Sequence, residues 1–218
     1  MGDFSVELHE ADLANRVMKL HDELLIPHRH AFTISVAELL FPSFRDLRVL
    51  DIACGHNFPF FSWFQDVNAG PLLAGYFASK GAKVSGLDEL HFRRHKLFRD
   101  YEFTMVWGNA FHLESYFFGQ EFDLITSTAF FGYPSSRNGT RPNASKEMSI
   151  LEQAKMITAP GGYGIHFLID GYWQLREQDL KDLGYRVVKY LDPPIKDVAP
   201  PPQKNLRLYG NIIIVQKE

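Results

Sequence analysis

The residues best placed to do chemistry stand where short apolar runs end. Val49-Leu50 leads into Asp51, which is followed by Ala53, Gly55 and Asn57. Val84 to Leu87 leads into Asp88. Met105 to Trp107 leads into Gly108, Asn109 and Ala110, and Leu124-Ile125 leads into Thr126, Ser127 and Thr128. If these runs are strands of one open α/β sheet, their ends are where such sheets bind ligands. A carboxylate there, such as Asp88, can accept hydrogen bonds from two neighbouring hydroxyls.

Other clusters carry weaker chemistry. His21, His28 and His30 are close in sequence but flank Pro27, so nothing makes them converge on one point as metal ligands must. No metal site is expected. Arg93, Arg94, His95, Lys96 and Arg99 form a basic run that reads as a solvated helix face and could touch RNA phosphates. Gly161-Gly162-Tyr163-Gly164 is not a phosphate loop. It precedes a strand instead of joining a strand to a helix.

The elements that must position these residues follow from periodicity. Leu13, Val17, Leu20 and Leu24 recur at helical spacing, and Ile34, Ala37 and Leu40 resume the pattern after Pro27. Pro27 should divide the segment into two helices. Five β-like runs follow, over 47–53, 82–87, 103–107, 122–127 and 163–169. Helix-compatible stretches follow them at about 72–80, 90–99, 111–117, 144–158 and 173–183. Strands alternating with helices imply right-handed crossovers and a parallel sheet. Their near-continuous apolar character fits strands covered on both faces. The last two strands, 185–191 and 207–215, have only a proline-rich stretch between them, so they form an antiparallel hairpin. The last of them must insert beside the fifth strand to bury Ile212 to Val215. The expected fold is α/β: a doubly wound, Rossmann-like, seven-stranded, mostly parallel sheet with one antiparallel strand, plus N-terminal helices. The division is residues 1–45 as a helical segment and 46–218 as the ligand-binding domain.

Composition limits the partners. The 218 residues carry a net charge of −3, which gives no global attraction to nucleic acid or to anionic membrane. The single cysteine, Cys54, permits no intrachain disulfide and fits a reducing compartment. The acidic N-terminus lacks the pattern of a secretory signal. No apolar stretch approaches the ~18 residues of a membrane span. The expectation is a cytoplasmic protein with no membrane partner and an open oligomeric state.

The ordered ends resemble the motifs of class I S-adenosylmethionine-dependent methyltransferases. Asp51, Ala53, Gly55 and Asn57 are similar to the first motif, an acidic residue followed by three glycine positions. Small Cβ atoms there let the methionine part of the cofactor lie against backbone. The resemblance implies that Asp88 holds the ribose hydroxyls and that Asn109 and Ala110 contact adenine. Asn109 stands where the family often has Asp, and its carbonyl still accepts from an amine. Ser127, with Thr128, would face the methionine part. Ala159-Pro160-Gly161-Gly162-Tyr163 resembles the family's structural turn before the fifth strand. The cofactor implied is S-adenosylmethionine.

The resemblance also places the long loop after the fourth strand over the transferred methyl group. Tyr133, Arg137 and Arg141 are therefore candidate substrate contacts, with a small-molecule acceptor favoured over RNA. The Asn/Asp-Pro-Pro-aromatic signature of some DNA and protein N-methylating enzymes is absent from the sequence. No catalytic side chain is assigned; His56, His112 and Tyr133 are the nearest bases by motif position. Two departures stand out. Asn57 replaces the last glycine of the first motif, although Asn tolerates a left-handed backbone. The crossover from Asp51 to Asp88 is longer than usual for the family and carries an aromatic insertion from Phe60 to Gly70, which reads first as extra core. These departures support the alternative of a non-catalytic, methyltransferase-like binding or scaffold module with a degenerate cofactor site.

Overall fold

A computed structural model describes residues 10–53, 71–89, 96–128, 144–169, 176–191 and 210–218. The chain opens with α1 (Glu10–Leu24) and α2 (His28–Leu40). The split falls at Pro27, as its fixed φ and missing N–H require. Leu25 ends α1 in a left-handed conformation, φ 52°. His21 Nδ1 lies 2.6 Å from the Ile26 carbonyl and ties the turn. The Pro27 carbonyl then accepts from the backbone N–H of His30 (2.9 Å) and Ala31 (3.1 Å), which starts α2.

α2 is an interior helix, not an amphipathic one. Every residue from Ala31 to Ala37 is buried. Two of them, Thr33 and Ser35, would bring unsatisfied hydroxyls into the core. They bond back along the helix, Thr33 Oγ1 to the Arg29 carbonyl (3.0 Å) and Ser35 Oγ to the Ala31 carbonyl (2.8 Å).

Five parallel strands follow: β1 (Arg48–Ile52), β2 (Lys83–Asp88), β3 (Thr104–Trp107), β4 (Phe122–Thr128) and β5 (Thr158–Ile169). Between them come α3 (Leu72–Ser79), α4 (Leu113–Tyr116) and α5 (Ala144–Ile157). α6 (Glu177–Asp182), β6 (Tyr185–Leu191) and β7 (Gly210–Lys217) complete the chain. The sheet order is β3-β2-β1-β4-β5-β7-β6. β7 pairs antiparallel with both β5 and β6, so the hairpin and the inserted last strand are as the sequence implies. The order reverses between β1 and β4, the position at which a doubly wound sheet opens a binding crevice.

Side chains alternate between two apolar layers. Val49, Leu124, Ile165 and Ile214 face α1, α2 and α3. Leu50, Ile52, Ile125, Ile213 and Val215 face the layer that holds Leu113, Ile150, Leu151 and Leu180. Both faces are covered, which is why the strands read as continuous apolar runs. Phe41 and Phe44, just past α2, seal one end of the first layer against Tyr163 (5.7 Å between ring centroids) and Phe77 (5.1 Å).

The entry to β5 departs from the sequence reading. No turn separates α5 from the strand: α5 ends at Ile157 and β5 begins at Thr158. Phe122 pairs with Thr158 and Leu124 with Tyr163, so Ala159 to Gly162 bulge within the strand. Gly161 takes φ +75° at that bulge, a conformation that favours glycine. A Cβ on Gly162 would meet the Ala159 carbonyl oxygen at 2.9 Å. Among the described residues no helix is long and apolar enough to cross a membrane.

Candidate functional site at the carboxyl ends of the strands

Asp51 is the centre of the described site. It faces the α1–α3 layer from β1 and is buried. Thr126, its register partner on β4, donates Oγ1–H to Asp51 Oδ1 at 3.0 Å. The backbone N–H of Ala74, in the first turn of α3, donates to the same carboxyl. No side chain caps α3 at Pro71, so Asp51 supplies an acceptor for that helix end from the neighbouring strand. Burial pushes the Asp51 pKa up to about 7. The two hydrogen bonds oppose that rise, and the charge of Asp88 adds to it.

The chain leaves β1 in a constrained way. Ala53 has φ 55°, a left-handed conformation that costs a non-glycine residue about 1 kcal/mol. Its N–H donates to the Leu87 carbonyl at 2.7 Å, which ties the end of β1 to the end of β2 beside Asp88. Asp88 is buried, and its carbonyl accepts from the Gly108 N–H at 2.9 Å. The ends of β1, β2 and β3 are thus laced together, and two acids meet at the first of these junctions.

Asn109 and Ala110 follow β3. Asn109 Oδ1 accepts from the Phe111 N–H at 2.9 Å and caps a short 3₁₀ turn, Ala110–His112. That bond uses one of the two lone pairs of the amide oxygen. Ala110 is buried against the second layer, and His112 is exposed.

Ser127 turns away from Asp51. It lies on the opposite face of β4, where its Oγ is 2.9 Å from His166 Nδ1 on β5. Both are buried, and burial pulls the His166 pKa down to about 4, so the ring is neutral at physiological pH. Its Nε2 end lies over Gly164, where a Cβ would come within 2.6 Å of it. Thr128, next along β4, returns to the Asp51 face. It is buried, and its Oγ1 has no hydrogen-bond partner among the described residues.

The structure therefore gathers Asp51, Ala53 and Asp88 at the crossover of strand order and places Asn109 and Ala110 just beyond β3. Gly55, Asn57, Tyr133, Arg137 and Arg141 lie outside the described residues, as do His56 and the insertion from Phe60 to Gly70. His166 is a polar group that the sequence reading did not single out, and Thr126 was named there only as one of three hydroxyls, with Ser127 assigned the role. A signal for Thr126 was present: three successive hydroxyls, Thr126-Ser127-Thr128, end a strand buried on both faces, and buried hydroxyls need partners. At the other end of the sheet, a groove of about 660 Å³ runs past Arg48, Lys83, Glu102 and Gln120. Its cations are matched locally, Arg48 to Glu121 (3.8 Å) and Asp123 (3.6 Å), and Lys83 to Asp46 (3.3 Å). It reads as a solvated rim.

No family model and no curated protein matches the sequence. Solved structures do match. TehB from Haemophilus influenzae superposes with a TM-score of 0.60 at 14% identity, over 93% of this chain and 67% of its own. The N-methyltransferase NodS from Bradyrhizobium japonicum, in complex with S-adenosyl-L-homocysteine, gives 0.60 at 11% identity, over 95% and 97%. The fold is that of the class I S-adenosylmethionine-dependent methyltransferases. The 1,6-didemethyltoxoflavin-N1-methyltransferase from Burkholderia thailandensis shares this methyltransferase fold, with a TM-score of 0.59 at 13% identity over 95% of this chain and 86% of its own. At these identities the likeness is one of architecture.

Proposed function

We propose that the chain is an S-adenosylmethionine-dependent methyltransferase acting on a small-molecule acceptor. One observation carries the reading: buried Asp51 and Asp88 stand at the carboxyl ends of the neighbouring strands β1 and β2, beside the β1–β4 point where strand order reverses. The residues present fit the cofactor. Asp88 ends β2, where its carboxylate would take the two ribose hydroxyls, and Asp51 with the Ala53 backbone would border the methionine part. By the family resemblance Gly55 and Asn57 would continue that border, and Asn109 with Ala110 would contact the adenine. When bound, the cofactor supplies an electrophilic sulfonium methyl. The chain's part is to orient two reactants and to exclude water, which suffices when the accepting atom is already a competent nucleophile. Tyr133, Arg137 and Arg141 are the proposed acceptor contacts. The net charge of −3 supports a small acceptor over RNA.

A second reading is a non-catalytic module. Asn57 at the last glycine position favours it.

The test is a calorimetric titration of the purified protein with S-adenosylmethionine and S-adenosylhomocysteine, with melting temperature measured in parallel. A ligand at ~100 times its dissociation constant adds roughly 2.7 kcal/mol of stability. Binding that is lost in Asp88→Ala and kept in Asp123→Ala supports the cofactor site. Binding without turnover on any acceptor selects the module. No binding of either compound at millimolar concentration overturns the methyltransferase reading and leaves the module.

A further inference from the structure

Exposed apolar side chains gather at one margin of the sheet. Among the described residues seven large ones stand in solvent, and five of these, Leu97, Tyr101, Trp107, Tyr116 and Phe118, fall between residues 97 and 118. That stretch contains β3, the outermost strand on its side. β3 reads Thr-Met-Val-Trp and buries none of its four residues, whereas β1, β2 and β4 bury all but one or two of theirs. A strand that ends a sheet is ordinarily guarded by a lysine, a proline or a bulge. β3 has none of these.

The five side chains are held by buried anchors. Leu97 precedes Phe98, whose ring packs edge-on against Tyr76 (6.0 Å between centroids) and tilted against Tyr101 (6.4 Å). A Cβ on Gly75 would come within 2.5 Å of Phe98 Cβ, so α3 and this turn pack as closely as glycine allows. On the other side of β3, Tyr116 and Phe118 flank Phe117, which is buried edge-on against Phe122 (5.3 Å). The Tyr116 ring lies against Gly108, next in the chain to Trp107, where any Cβ would collide with it. The groove at the amino ends is bordered by Thr104 and by Gly119 and Gln120, so Phe118 stands beside the start of β3. Side chains held in place before contact lose little entropy on association.

We propose that the β3 margin is the interface between two copies of this chain in a two-fold dimer. At about 150–250 Å² for a fully exposed aromatic side chain, the five leave about 500 Å² of apolar surface in solvent. Two copies joined here cover about 1,000 Å² with these side chains alone, which reaches the size of a specific interface before any polar rim is added. A two-fold axis at β3 sets like against like, as isologous contacts require. Tyr101, at the amino end of one strand, then meets Trp107, at the carboxyl end of the other. The same axis brings exposed Asp100 and Glu102 toward exposed His112, so the charged rim is complementary. Trp107 is the register partner of Asp88, so the interface adjoins the crevice. The proposal stands apart from the methyltransferase reading.

Sedimentation equilibrium of the full chain over a micromolar concentration series tests it. Wild type is expected to sediment at twice the mass of one chain, and its melting temperature to rise with protein concentration. Phe118→Glu and Leu97→Glu place a charge in the contact and weaken self-association by about tenfold or more. Both side chains are exposed in the protomer, so far-UV circular dichroism should match wild type. Leu25→Glu and Met156→Glu alter the two exposed apolar residues outside this stretch and should leave the dimer intact. A wild type that stays monomeric throughout the series overturns the proposal, and the margin then belongs to a different protein. A dimer that Phe118→Glu and Leu97→Glu leave unchanged, or that the two control variants weaken as much, also overturns it, because the interface then lies elsewhere.

Discussion

Thr126 and Asp51 are joined across the β1–β4 pairing by a 3.0 Å hydrogen bond in which the hydroxyl donates to a buried carboxyl. The bond spans the point where strand order reverses, so it ties the two halves of the sheet together at the crevice. Removing the donor should be felt in stability. Thr126→Val leaves the Asp51 oxygen short of one partner in a dry site, at a cost of about 1–3 kcal/mol. Urea denaturation should show a lower midpoint with an unchanged slope, and Thr126→Ser should recover most of the loss.

Asp51 makes stability depend on pH. Its pKa rises from an ordinary 3.8 to about 7 on folding. Between those values the folded state binds the extra proton, so this contribution is full below about pH 4 and is lost as pH rises through 7. The window is worth roughly 4 kcal/mol. Asp51→Asn removes it. The variant should gain stability over wild type at pH 8 and lose most of that advantage at pH 4.5, measured by urea midpoints, while its binding of S-adenosylhomocysteine falls.

His166 acts in the opposite sense. Its pKa drops from 6.5 to about 4 on folding, so the unfolded chain binds the extra proton in between. This contribution is present above 6.5 and is lost as pH falls toward 4, by roughly 3 kcal/mol. The two groups lie on opposite faces of the same sheet and largely cancel from about pH 4 to 6.5. Wild type should therefore show a shallow profile there. His166→Gln should expose the fall with rising pH caused by Asp51, and Asp51→Asn the rise caused by His166.

Gly164 is held to its size by the His166 ring. A Cβ there would meet Nε2 at 2.6 Å and Val215 Cγ2 at 2.8 Å. Gly164→Ala must displace the imidazole from Ser127, with an expected cost of about 1–3 kcal/mol. In a His166→Ala background the same change should cost clearly less. A double-mutant cycle on urea midpoints reads the coupling, and additivity of the two changes would show that the ring is not what Gly164 accommodates.

Much of the fold is legible in the residues. Pro27 marks the helix break, each parallel strand is visible as an apolar run, and Ile212 to Val215 demand the interior place that β7 occupies. The Pro160-Gly161-Gly162 segment was misleading because its residues suit a turn and a bulge equally well, and only the pairing of Phe122 and Leu124 decides between them. The site is legible in kind but not in sidedness. Thr126, Ser127 and Thr128 are interchangeable on paper, since a strand buried on both faces has no polar side to set its register. Pairing turns Ser127 to His166 and leaves Thr128 toward α2.

The insertion of β7 between β5 and β6 governs the order in which the protein can be made. On a nascent chain β5 emerges with an open edge that carries Ile165 and Phe167, and β6 cannot cover it, because β6 reaches the sheet only through β7. Until Gly210 to Lys217 arrive, that edge is a template for pairing with other chains. Closing it requires a contact between residues some 50 apart in sequence, such as Ile165 with Ile214, which is slow relative to the local helices. Synthesis thus leaves an interval of exposure to aggregation that ends only with the seventh strand.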